Sequence, residues 1–161
     1  MQTLSPEQLL EIARRVHETF HLPKRWHQGG WGRDDDGDVI EFDGNFHVFD
    51  NDEVRHPPAF RLATPESPRC FCLGAAIRIH TGSFFLGDPS LTGQACESMC
   101  EIYTRIGHID TRERELNAAN FEPHLDSVIE WNDDEDRSYE DIRELTAAVL
   151  RHLDAARFGT D

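Results

Sequence analysis

Apolar side chains recur every three or four residues along most of this chain, which is the periodicity of helices that bury one face. The first stripe follows a helix start at Ser5 and Pro6, and we expect that helix to end at about Leu22, before Pro23. Four further stripes and a capping box at Asp110 predict about six helices around one core. The apolar stripe positions are, in chain order, Leu9, Ile12, Ala13, Val16, Phe20, Leu73, Ala76, Ile77, Leu91, Ala95, Met99, Ile102, Ile106, Leu125, Val128, Ile129, Ile142, Leu145, Val149, Leu153 and Ala156.

A different pattern follows the first helix. The β-prone runs 39–42 and 46–49 flank an Asp-Gly-Asn turn signal and predict a hairpin, with residues 26–31 as a first strand. The proline-rich segment 56–68 predicts an extended loop. The sequence therefore predicts a mainly α (α+β) fold with a small antiparallel β meander after the first helix.

The central helix is the stretch around which the chain is organised. Ser67 is a suitable N-cap and Pro68 suits the first helical position, which places Cys70 and Cys72 in the first turn. Unpaired amides and the positive end of the helix dipole lower the pKa of a thiol there. A cysteine at such a position is nevertheless more often a small buried residue of the core than a nucleophile.

Length and composition indicate one ordered domain, residues 1–161. Only 38% of the residues are hydrophobic, but the strong helical periodicity argues against disorder. We find no apolar run of about 18 residues and no signal-peptide pattern, so we expect a cytoplasmic protein. Its four cysteines should then be reduced thiols.

The chain is strongly acidic, with 31 Asp and Glu against 16 Lys and Arg and a formal net charge of -15. Such a surface repels nucleic acid and anionic membranes, so we expect neither as a direct partner. A basic protein is the favoured partner class, and an acidic protein of this kind is able to occupy a nucleic-acid-binding groove by charge mimicry. The sequence leaves the oligomeric state open.

Three patterns invite a metal, and none is complete. His17-Glu18-Thr19-Phe20-His21 fits the H-E-x-x-H pattern, but Pro23 follows closely and none of the remaining histidines, among them His27, His47 and His108, stands out as a third ligand. The cysteine spacings at 70–72 and 96–100 differ from those of common zinc sites. The acidic clusters 34–38, 50–53 and 133–136 match no EF-hand loop and are better explained by turn chemistry. We therefore expect no metal and no cofactor.

Trp131-Asn132-Asp133 suggests a loop that is held in a fixed shape, because asparagine and aspartate hydrogen-bond to nearby backbone groups. The other interpretation, which we favour, is that Asn132 and Asp133 end one helix and organise the entry to the next. If the chain is an enzyme, Cys72 is the candidate nucleophile, a histidine is the base, and Asn132 or Asp133 orients that base. The candidate bases are His80, His108 and His124.

Three motifs occur in a fixed order: Trp26-x-Gln28-Gly29 before an Asp-Gly turn, then Cys72-Leu73-Gly74-Ala75, then Ile129-x-Trp131-Asn132-Asp133 with Arg137-Ser138-x-Glu140-Asp141-Ile142. Over roughly residues 24–150 the chain resembles a family of small uncharacterised proteins from actinobacteria and their phages, although its acidic stretch 38–56 is unusually long. The resemblance implies a bacterial or phage accessory protein and no established activity. The motif residues Trp26, Gln28 and Trp131 are the candidate binding residues.

Two functions from different classes are the main hypotheses, and a third, a zinc-binding module, is decided by the metal content of the purified protein. The first is an acidic, cytosolic accessory or interaction protein that modulates a basic host partner. The second is a cysteine-dependent hydrolase or transferase that uses Cys72 with a histidine and Asn132 or Asp133.

Overall fold

Five α-helices account for most of the residues that the computed structural model describes, which confirms the mainly helical prediction. The described residues are 4–34, 37–39, 41–42, 48–50, 53–55, 69–82, 84–85, 89–111 and 122–158. The helices are α1 (Pro6–Thr19), α2 (Leu73–Gly82), α3 (Pro89–Ile106), α4 (Pro123–Asp133) and α5 (Tyr139–Phe158). The helix expected from Asp110 to about Ala119, like the predicted loop 56–68, lies largely or wholly outside these residues.

The first helix begins as the sequence predicts and ends earlier. The Ser5 side chain accepts from the Gln8 amide at 3.1 Å and the Gln8 side chain accepts from the Ser5 amide at 2.9 Å, so the capping box is confirmed. The helix ends at Thr19 rather than at about Leu22. Its last carbonyl groups find partners outside the helix, because Arg143 of α5 donates to the carbonyl oxygen of His17 at 2.8 Å.

The strands among the described residues form two small antiparallel sheets. They are β1 (Gly32–Arg33), β2 (Glu41–Phe42), β3 (Val48–Asp50), β4 (Glu53–Arg55) and β5 (Cys70–Phe71). One sheet has the order β2-β3-β4, so the hairpin on either side of the Asp-Gly-Asn turn is confirmed. The expected first strand at residues 26–31 is wrong, because Trp26 makes only an isolated bridge to Phe71 and the regular strand β1 begins at Gly32.

The central helix begins five residues later than Pro68, at Leu73. Cys70 and Phe71 belong to β5 and pair with Arg33 and Gly32 of β1. Because the chain is held extended by this pairing, only Cys72 remains beside the helix start. The expectation that Cys70 lies in the first turn is therefore wrong, while Ser67 and Pro68 lie outside the described residues.

The core surrounds α2, whose side chains are buried on all sides from Leu73 to Thr81. Helices α1, α3 and α4 pack against α2, and α5 packs against α1. A β-carbon at Gly74 would lie 2.8 Å from Cγ1 of Ile129, so a residue without a side chain lets α4 approach closely. No helix among the described residues combines the length and apolarity that a membrane span requires. The stripe of α3 is centred on Cys96, Met99, Cys100 and Tyr103, each at most 1% exposed.

Candidate functional site

The side chain of Asn132 lies where three sequence motifs meet. It is fully buried, and its Oδ1 accepts from Nε1 of Trp26 at 2.7 Å and from the amide of Leu73 at 3.0 Å. Its Nδ2 donates to the carbonyl oxygen of His27 and to Oδ1 of Asp133, both at 2.9 Å. An asparagine amide has two donors and two acceptor positions, so every one of them is used.

An outer ring of hydrogen bonds surrounds this side chain. Nε2 of Gln28 donates to the carbonyl oxygens of Asn132 and Asp134, each at 2.9 Å. The amide of Gly29 donates to Oδ1 of Asp133 at 3.0 Å. We call the side chains of Trp26, Gln28, Asn132 and Asp133, with these backbone partners, the Asn132 clasp. It joins the segment after α1 to the beginning of α2 and the end of α4.

Backbone pairing places the three segments within reach of the clasp. The amide of His27 donates to the carbonyl oxygen of Phe71, and the amide of Cys72 donates to that of Trp31, both at 2.9 Å. The segment 26–31 therefore runs beside β5 without forming a regular strand. Asn132 in turn accepts from Leu73, the first residue of α2, and so satisfies an amide that has no partner inside the helix.

The sulfur of Cys72 acts as an N-cap of α2. It accepts from the amide of Ala75 at 3.3 Å, and the residue is 1% exposed. Burial, with a smaller contribution from the negative charge of Asp133, raises the pKa of the Cys72 thiol to about 12 against the lowering effect of the helix amides. A nucleophilic cysteine needs the opposite shift. These observations favour a structural role for Cys72.

The candidate bases make contacts of their own. Nε2 of His80 lies 2.8 Å from Oγ1 of Thr19, and Nδ1 of His124 lies 3.3 Å from Oγ1 of Thr104. His108 is exposed at the end of α3. Among the described contacts of Cys72, none joins its sulfur to any of these rings. The structure places Cys72 beside Asn132 and Asp133, and the other side chains at this point are those of Trp26 and Gln28.

Trp131 has a different environment from Asn132. It lies on the last turn of α4, so residues 131–133 end a helix, as the favoured interpretation expects, and do not form a loop. The guanidinium of Arg137 stacks over the half-buried Trp131 ring at 4.0 Å, and its Nε donates to the Trp131 carbonyl oxygen at 2.9 Å. This stack fixes the direction in which the chain leaves α4.

The histidines and cysteines that suggested a metal site in the sequence make other contacts in the structure. His17 lies on α1 with Nδ1 2.8 Å from Oγ1 of Thr146, whereas His21 lies beyond the end of the helix, so the two rings do not share a helical face. The four cysteines are free and buried. Within the described ranges, no three His, Cys, Asp or Glu side chains are grouped as a metal site requires.

Turn chemistry explains the acidic residues in two of the three clusters. Oδ1 of Asp34 accepts from the amide of Asp38 at 3.0 Å, and Oδ1 of Asp134 accepts from the amide of Asp136 at 2.9 Å. Both are short local bonds of the kind that aspartate forms in turns. Parts of the clusters at 34–38 and 50–53 lie outside the described residues.

Sequence reasoning missed the role of Glu97. This residue lies on α3, and its carboxylate accepts from the amides of His124 and Leu125 at 2.8 and 2.9 Å. It therefore caps the beginning of α4 from a neighbouring helix. Burial raises the pKa of Glu97, although the two amides oppose that shift. No local pattern signals this cap, because the carboxylate and the amides lie 27 and 28 residues apart in the chain.

Comparison with known protein families assigns the chain to one of them. The sequence profile of a family of unknown function, DUF6197, matches residues 1–156. The chain belongs to this family. The expectation from the three motifs, a family without an established activity, is confirmed in this form. The DUF6197 match covers α1 and all three segments of the Asn132 clasp. Searches of curated proteins and of solved structures found no match to the chain.

We expect the Cys72 thiol of this DUF6197 chain to be almost unreactive in the folded protein. A thiol with a pKa near 12 has roughly a thousandfold less thiolate at neutral pH than an ordinary cysteine. The measurement is iodoacetamide labelling near neutral pH, with fragment spectra that separate Cys72 from Cys70. The same protein in denaturing urea should label at the rate of a free thiol, and comparable labelling of folded and unfolded protein would contradict the capping role.

Proposed function

We propose that this protein is a non-enzymatic accessory protein, of bacterial or phage origin and active in the cytoplasm, that binds a basic protein partner through its acidic surface. The observation that carries the proposal is the formal net charge of -15 on 161 residues. A negative charge of this size raises the rate of association with positively charged surfaces and lowers the rate of association with nucleic acid.

The placement of the arginines supports this proposal. Arg25 is buried and donates to the carbonyl oxygen of Arg69 at 3.0 Å, and buried Arg78 lies 3.3 Å from the carboxylate of Glu122. Arg143 donates to carbonyl oxygens at the end of α1. Cations that serve internal contacts neutralise little of the outer surface. The surface that a partner meets is therefore more negative than it would be if the arginines were spread evenly over it.

A second supporting feature is the acidic turn, which we define as residues 133–136. All four side chains are exposed, and Glu140 and Glu144 are exposed on the following helix. The Asn132 clasp holds the first half of the turn through Asp133 and through the carbonyl oxygen of Asp134. A preformed surface loses less conformational entropy on binding than a mobile one. Trp26, Gln28 and Trp131 then contribute by fixing the position of the acidic turn.

The competing function, a cysteine-dependent hydrolase or transferase, has less support. It requires an accessible thiolate with an imidazole in hydrogen-bond reach. Burial of Cys72 and its raised pKa weigh against that requirement. The Asp133 carboxylate is also an unfavourable neighbour for a thiolate, because like charges repel.

The test compares two sets of charge-neutralising substitutions in a pull-down from bacterial lysate at low salt. The first set changes the acidic surface: Glu135→Gln, Asp136→Asn, Glu140→Gln and Glu144→Gln. The control set changes exposed residues elsewhere: Glu7→Gln, Glu18→Gln, Glu101→Gln and Asp154→Asn. Each set removes four negative charges, so both change the formal net charge from -15 to -11.

We expect the wild type to enrich a small number of basic proteins, identified by mass spectrometry, and to lose them at high salt. The first set should reduce this enrichment roughly fivefold or more, since each exposed charge contributes a few tenths of a kcal/mol. The control set should retain most of it. Recovery of no basic protein by the wild type would overturn the proposed function. Equal losses in both sets would show that the acidic turn is not the binding surface.

A further inference from the structure

Two histidine–threonine pairs hold the carboxyl end of α1 from opposite sides. On one side, Nε2 of His80 in α2 lies 2.8 Å from Oγ1 of Thr19. On the other, Nδ1 of His17 lies 2.8 Å from Oγ1 of Thr146 in α5. The pairs join positions 61 and 129 residues apart, so they are tertiary contacts rather than features of one helix.

The bonds that the two threonine hydroxyls donate show which nitrogen of each ring carries a proton. Thr19 donates its hydroxyl proton to the carbonyl oxygen of Arg15 at 2.8 Å, so its oxygen accepts the Nε2 proton of His80. Thr146 donates to the carbonyl oxygen of Ile142 at 2.9 Å, so its oxygen accepts from Nδ1 of His17. In each pair, therefore, the ring nitrogen that faces the threonine carries a proton, and the surroundings of the ring set its charge.

The surroundings of the rings oppose a positive charge. His80 is 4% exposed, and Arg15 of α1, which lies 3.0 Å from the carboxylate of Glu11, is a positive charge that opposes its protonation. His17 faces Arg143 of α5, with Glu18 of α1 as the opposing charge. Protonation of either ring would thus place a second cation near an arginine.

We propose that the carboxyl end of α1 is an acid-sensitive joint, which opens ahead of the rest of the helical core when His80 and, to a smaller extent, His17 are protonated. Opening exposes both rings to water, where each regains its ordinary affinity for protons. The joint makes use of His17, which the H-E-x-x-H pattern had suggested as a metal ligand. It is independent of the proposed partner binding.

The direction of the pH dependence follows from the shift at His80. Burial, with a smaller effect of Arg15, lowers the pKa of His80 from 6.5 to about 3. Burial also lowers the pKa of His17, with Arg143 acting in the same direction. The open state takes up a proton at His80 below about pH 6.5, whereas the closed state does so only near pH 3. Stability of the joint is therefore complete above pH 6.5 and decreases as the pH falls.

The experiment is hydrogen exchange of the backbone amides in the folded full-length chain between about pH 7 and pH 4.5, corrected for the intrinsic pH dependence of exchange. We expect the opening equilibrium of amides 16–20 to rise about tenfold for each pH unit below 6.5. Amides of α3 and α4 should keep their protection over the same range. Loss of protection in α1 and α3 at the same pH would overturn the proposal.

Two substitutions separate the joint from general acid denaturation. His80→Gln places an amide donor where Nε2 lies and does not titrate, so we expect it to remove most of the pH dependence at amides 16–20. His152→Gln changes an exposed histidine on α5 and should leave that dependence as in the wild type. An unchanged pH profile in His80→Gln would contradict the joint. If His80→Gln does not fold, the NMR signals of the His80 ring in the wild type provide the test. Titration of His80 near pH 6.5 in the folded protein would overturn the proposal. Absence of titration down to pH 4.5 supports it.

Discussion

Replacing Asn132 with alanine should destabilise the protein by about 4 kcal/mol, because it removes four hydrogen bonds from one fully buried side chain. The indole of Trp26, the amide of Leu73 and the carbonyl oxygen of His27 would each lose a partner inside the protein. An unsatisfied buried polar group costs about 1 to 3 kcal/mol. Urea unfolding followed by circular dichroism measures the loss directly.

Two further variants show which part of the clasp stabilises the fold. Gln28→Ala removes an exposed side chain whose partners are carbonyl oxygens near the surface, so we expect a cost of only about 1 kcal/mol. Asn132→Asp keeps the acceptor for Trp26 and Leu73 but sets a second carboxylate beside Asp133. We expect it to cost nearly as much as Asn132→Ala. A cost below about 1 kcal/mol for Asn132→Ala would show that the clasp is not an important tertiary link.

Gly32→Ala should cost more than about 3 kcal/mol, because the new β-carbon has no space. It would lie 2.1 Å from the carbonyl oxygen of Cys70 and 3.0 Å from Cα of Phe71. Both contacts are with backbone atoms of β5, which cannot move away without breaking the pairing of β1 with β5. Gly32 also has a φ of +151°, which side-chain-bearing residues rarely adopt. Denaturant unfolding gives the cost.

Gly29→Ala is the matched control for Gly32→Ala. Gly29 has a φ of +86°, but a β-carbon there would meet nothing within 4 Å. Only the conformational penalty of about 1 to 2 kcal/mol should remain. Equal costs for the two substitutions would mean that the approach of β5 to Gly32 is looser than the 2.1 Å contact implies.

Features with a local cause could be predicted from the sequence. The capping box at Ser5 and Gln8 begins α1 as expected, because its atoms lie three residues apart. The hairpin of β2 and β3 follows from a turn signal between two β-prone runs. Burial of Leu73, Ala76 and Ile77 follows from helical spacing.

Features with a distant cause were predicted incompletely or incorrectly. The end of α1 was placed too late because Arg143, which binds its carbonyl oxygens, lies 126 residues beyond His17 in the chain. The beginning of α2 was placed too early because the pairing of β5 with β1 was not visible in the local pattern. The helical cap supplied by Glu97 was missed for the same reason.

The helical class, the core faces of α1 and α5, the acidic charge and the motifs that contain Trp26, Cys72 and Asn132 all follow from the sequence, whereas the core face of α3 does not, because it is centred on Cys96, Cys100 and Tyr103. Periodicity, capping and composition depend on neighbouring residues, so they can be read along the chain. Only the tertiary structure decided that these motifs close on Asn132, which joins Trp26 and Leu73 across 106 and 59 residues. It also decided that Cys72 is buried, because the packing of distant segments, and not the position of a thiol near a helix start, sets its exposure and its pKa.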